Sequence, residues 1–109
     1  MDIKDMRLGD VWELLRVIGP SKTSHSWQVG QKVFIRTLSY HYIGRVAAVT
    51  DTDVVLDEAS WVADSGRWNC ALTTGELSEV EPYPGSVVVH RGVIVDHCRW
   101  DHDLPREVK

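Results

Sequence analysis

The sequence predicts a mainly β protein of one domain, and three observations predict it. β-branched and aromatic residues recur in short runs at 33–35, 40–49, 54–56, 87–89 and 93–95. Turn chemistry separates the runs, most strongly at Glu81-Pro82-Tyr83-Pro84-Gly85, where each proline fixes its own φ and pushes the preceding residue out of the helical region. The 109 residues make one domain, long enough to bury a core without metal or disulfide staples.

Each expected element has a local reason. Leu8, Val11, Trp12, Leu15 and Ile18 recur at helical spacing, Asp10 with Glu13 forms a capping box, and Gly19-Pro20 ends the run, so an amphipathic helix is expected over residues 1–20. Residues 21–30 are polar and turn-rich and read as a connector. Residues 31–57 read as three consecutive antiparallel strands. Gly44 lies inside the longest run, where a missing side chain permits a sharp bend or a close backbone approach. Asp64-Ser65 starts an inserted helix over 64–75, with Trp68, Ala71 and Leu72 on one side and Gly75 as terminator. Residues 86–97 read as two strands about a tight turn that uses Gly92. The tail, 101–109, is polar and non-regular.

Composition excludes several classes. With 43% hydrophobic and 26% charged residues the chain lies far from the disordered regime. A net charge of -4 and the lack of any basic run argue against duplex DNA or an anionic membrane surface as partner. No apolar run approaches the roughly 18 residues of a membrane span, and Met1-Asp2-Ile3-Lys4-Asp5 lacks signal-peptide character, so the cytoplasm is the expected address. Cys70 and Cys98 are not spaced as a CxxC pair and read as reduced, buried thiols. Five Trp in so short a chain point to large buried contacts in the core or between subunits.

In order, these elements are a helix, three meander strands, a connection, and two final strands. That order resembles the Sm-like (LSm/Hfq-type) domain, a small bent five-stranded barrel. Residues 33–35, Gly44, Asp51, Asp53 and 54–56 fall in the places of the family's first motif, and Val87-Val88-Val89-His90-Arg91-Gly92-Val93 is similar to its second. The resemblance covers about a third of the chain. It implies assembly into a ring of copies and a nucleotide or RNA as partner. Three departures bear on the ligand. The family's Asn is Asp53 here, an acceptor-only carboxylate; the residue expected to stack on a base is Thr52, which has no π-face; and the helix around Trp68 is an insertion. Ring formation depends on strand edges rather than on those side chains. A second resemblance, carried by 63–68, Glu79-Val80-Glu81-Pro82 and Arg91-Gly92, is to short uncharacterised proteins of bacteriophages and prophages.

The candidate ligand-binding residues are Arg91, Gly92, His90, Asp51, Asp53, Arg67 and Trp68. A guanidinium beside a glycine turn can meet phosphate bidentately, or it can support the loop by hydrogen bonds. Asp51 and Asp53 can accept from a base or ribose, or brace the turn. Arg67 and Trp68 offer a cation and an aromatic plate, or an exposed ion pair with Asp64 and a core residue. The run 96–103 has metal-capable side chains, but its spacing matches no tetrahedral zinc pattern and strand alternation points His97 away from Asp96 and Cys98. No catalytic signature is present, and neither cofactor nor metal is expected. The sequence therefore predicts a non-enzymatic oligomeric binding protein, phage or prophage encoded, that holds an anionic ligand and in one version sequesters a host signalling nucleotide. The alternatives are a virion or assembly component making only protein contacts, and a small enzyme.

Overall fold

Residues 26–109 are described by the computed structural model, so the helix expected over 1–20 lies outside the described residues. The meander forms where the apolar runs place it: β1 spans Lys32–Thr37, β2 His41–Val49 and β3 Asp53–Asp64, each antiparallel to the one before. β3 runs well past the expected end at residue 57. Its apolar pattern is interrupted by Asp57-Glu58, and the interruption is a bulge rather than a turn. Ile43 faces Ser60 and Arg45 faces Asp57, so Glu58 and Ala59 together oppose Gly44. Glu58 has φ +51, a left-handed conformation that costs a non-glycine residue about 1 kcal/mol.

Gly44 marks the bend for the reason anticipated. A Cβ there would lie 3.0 Å from the Leu56 Cβ and 3.1 Å from the Ala59 Cβ. Only glycine lets β2 cross β3 this closely. A second shift between Val46 and Ala48 adds to the curvature.

The remaining strands attach at both sides of the meander. β4 (Glu79–Pro82) and β5 (Val87–His90) lie end to end along β3, on its Ser60–Asp64 and Asp53–Leu56 portions respectively. The Pro82-Tyr83-Pro84-Gly85 turn interrupts the edge between them, and the Tyr83 N–H still donates to the Ala59 carbonyl at 2.8 Å. β6 (Ile94–Arg99) pairs with β1. The architecture is thus a six-stranded antiparallel sheet in the order β4-β3-β2-β1-β6, with β5 also on β3.

Two expectations are corrected here. The final two strands are not a hairpin: β5 and β6 bond to opposite edges of the meander, and a 3-10 turn over Arg91–Val93 joins them. Gly92 has no positive φ and open space where a Cβ would point, so this turn does not require glycine. Six strands form, and hydrogen bonding does not close them into a five-stranded barrel.

The curled sheet buries apolar residues on both faces. On one face Val33, Ile35, Val46, Val54, Leu56, Ala59 and Val89 pack with Trp27. On the other, Phe34, Ile43 and Val62 are covered by Ala71 of the helix α1 (Trp68–Thr74), by Leu77, and by Trp100 and Leu104 of the tail. α1 starts later than expected, because the Asp64 carboxylate accepts from the Gly66 N–H instead of capping the helix. Gly75 ends it at φ +82, as its position implied. The tail is irregular but not merely polar. It crosses the sheet, with the His102 carbonyl accepting from Lys32 Nζ at 2.6 Å, the Pro105 carbonyl from Ser60 at 3.4 Å, and Lys109 exchanging backbone bonds with Val80. Cys70 is exposed and Cys98 half-buried, where both were expected inside. Among the described residues, no helix is long and apolar enough to cross a membrane.

Candidate functional site

The turn between β2 and β3 is built by Thr50. Its hydroxyl accepts from the Asp53 N–H at 3.0 Å and the Thr52 N–H at 3.3 Å, while its own N–H donates to the Asp53 carbonyl at 2.9 Å. Pairing of β5 with the start of β3 sets Asp53 opposite His90 and delivers the 3-10 turn to this loop. The Arg91 N–H then donates to the Thr52 carbonyl, and its Nη1 to the Thr50 carbonyl, both at 2.7 Å. Beside it His90 Nδ1 lies 2.6 Å from the Asp53 carboxylate.

Four of the seven candidate residues therefore meet: His90, Arg91, Gly92 and Asp53. Asp51 sits in the same loop, exposed, with no side-chain hydrogen bond among the described residues. The His90 side chain is 76% exposed, so a ligand can reach its ring without displacing protein. One guanidinium N–H of Arg91 is engaged by Thr50, out of five that the group carries. The arrangement can therefore brace the loop and still offer donors to an anion. The sequence named Arg91 but not Thr50, whose contribution is a backbone carbonyl and leaves no mark in residue type.

Arg67 and Trp68 are elsewhere, beyond the far end of β3. Trp68 packs edge-on against Phe34 with centroids 4.8 Å apart, and the Arg36 guanidinium lies 5.3 Å from its ring centroid. It is partly buried at the edge of the cluster that contains Phe34, Ile43 and Val62. Arg67 is exposed and immediately precedes α1.

The run 96–103 is divided between the faces. The Asp96 carboxylate accepts from Arg36 Nε at 2.7 Å, and also from its Nη2. This hydrogen bonding to Arg36 holds the Asp96 carboxyl below its usual range against some opposing desolvation. His97 stacks on Trp27 at 3.6 Å, and burial there pushes its pKa down, partly opposed by Asp96. Burial raises the Cys98 thiol. Among the described residues no group of three or more His, Cys, Asp or Glu side chains could hold a metal ion.

Comparison with protein-family models and with curated proteins finds no match to either.

Proposed function

We propose that this chain is a non-enzymatic Sm-like binding protein that assembles with copies of itself and holds an anionic ligand, a nucleotide or an RNA end, at the Arg91–Val93 turn. The observation that carries this function is the strand order. β5 and β6 lie on opposite sides of one curled sheet, are consecutive in the chain, and among the described residues each is paired along one edge alone. Two unpaired antiparallel edges of this kind can add a strand from another copy. Val88, Val93 and Val95, on or between these strands, are 54%, 41% and 57% exposed, which suits burial between subunits. Repeating that contact would bring several Arg91 turns together, and the remaining guanidinium donors with the exposed His90 ring would supply the ligand's charge and hydrogen bonds. In a phage or prophage setting, sequestering a host signalling nucleotide is the version of this function that needs tight pockets and no catalysis.

One observation favours a second function, assembly through protein contacts alone. Arg91, His90 and Asp53 all have partners within the chain, so their positions are explained without a ligand.

Native mass spectrometry of protein purified from cells separates these. An oligomer carrying nucleotide or RNA supports binding, a ligand-free oligomer supports the second function, and a ligand-free monomer defeats both. Arg91→Lys keeps one cation and a donor for Thr50 but removes the planar fork. It is expected to weaken ligand retention about tenfold with subunit number unchanged.

A further inference from the structure

A groove of about 590 Å³ opens where the β3 bulge meets the tail, within the volume range of small-molecule sites. It shares no residue with the Arg91 turn. Its apolar lining comes from Leu77 and Val80 around the start of β4 and from Leu104, Pro105 and Val108 of the tail, two segments that folding brings together. Two arginines from distant parts of the chain, Arg45 on β2 and Arg106 in the tail, converge over this lining on one carboxylate. Arg45 Nε lies 3.1 Å from Glu58 Oε1, and Arg106 Nη2 lies 3.4 Å from Glu58 Oε2.

We infer that this groove is a second binding site, for an organic anion with an apolar body. The geometry at Glu58 is the reason. A carboxylate set between two guanidiniums occupies the place such a ligand's anionic group would take, and it does so weakly. A well-made charge-assisted N–H···O bond is about 2.7–2.9 Å, so the Arg106 contact is long, and the Arg106 side chain is 78% exposed. Glu58 is also held in a left-handed backbone conformation by the bulge. An incoming anion can meet both arginines at better geometry while its apolar part covers Leu77, Val80 and Leu104. Lys32 and Lys109 add positive charge along the groove and Asp103 and Glu107 negative charge, so selection for an anion rests on the paired guanidiniums and not on the groove as a whole. The plainer alternative is a solvent-filled gap beneath a surface ion pair, which predicts no preference for an anion and no dependence on either arginine.

Anilinonaphthalene sulfonate, an anion with an apolar body, serves as probe, and N-phenylnaphthylamine as its uncharged counterpart. In heteronuclear NMR titrations the sulfonate is expected to shift the amides of Leu77, Val80 and Leu104, and to bind at least tenfold tighter than the amine. Arg106→Ala should weaken it about tenfold. Glu58→Gln, which removes the resident charge while Arg45 keeps its bond to the Gly30 carbonyl, should tighten it severalfold; being opposite in sign, this result does not depend on Arg106→Ala folding well. Equal affinity for the two probes, shifts centred on the β5 or β6 edge, or affinities unchanged in both variants would overturn the assignment.

Discussion

The two faces of the sheet are covered in different ways. The face carrying Val33 and Ile35 is covered mainly by the sheet itself, with Trp27 added from before β1, since curvature at Gly44 and the return of β5 bring Val54, Leu56 and Val89 over it. The face carrying Phe34 is covered by structure that is not strand: α1, Leu77 and the tail, anchored by Trp100 at 1% exposure and Leu104 at 7%. β1 lies between the two, so three successive residues, 33–35, are all buried where a one-sided sheet would alternate. A small sheet thus gains a second core from a short helix and from a tail whose local sequence shows no regular pattern. The first core depends on backbone curvature, the second on a few large side chains.

The largest test removes the chief anchor of the second core. Trp100→Ala is expected to lower stability by about 3–5 kcal/mol in urea unfolding, because a fully buried indole leaves a cavity and its Nε1 loses the Asp103 carbonyl. In native-state hydrogen exchange it should speed the amides of α1 and the tail more than those between β2 and β3. If it speeds both sets equally, the two cores do not open separately.

A smaller effect tests the other face. Gly44→Ala is expected to cost about 1–3 kcal/mol, since the new methyl meets Cβ and Cα atoms of Leu56 and Ala59, which cannot move without the backbone. Thermal melting that matches the parent would mean that β2 and β3 can separate without loss, and that curvature is not what covers this face.

The smallest concerns pH at the rim of the first face. Burial against Trp27 holds the His97 pKa below its ordinary 6.5, so the unfolded chain takes up this proton more readily than the folded one. The contribution is fully present above the ordinary imidazole range and is lost as pH falls through it. His97→Phe should flatten that part of the stability profile measured by denaturation at a series of pH values. The Asp96 carboxyl, depressed by Arg36, loses its contribution only in the lower, carboxylate range, so the two are separable. A profile unchanged by the substitution would show that the imidazole is as well solvated folded as unfolded.

By itself the sequence determined what is local. Strand runs, the bend at Gly44, the helix stop at Gly75 and the break at 82–85 follow from periodicity, from a missing Cβ and from restricted φ, which are properties of a few neighbouring residues. It also singled out Arg91, His90 and Asp53, though not the Thr50 carbonyl that holds the arginine, nor the Arg45, Glu58 and Arg106 cluster drawn from three separate segments. Only the tertiary structure decided which strand lies beside which, that β3 continues through Glu58, and that Trp100 and Leu104 cover a second face. Pairing choice and cover are set by free energy summed over residues far apart in the chain, and no short window of sequence contains both partners.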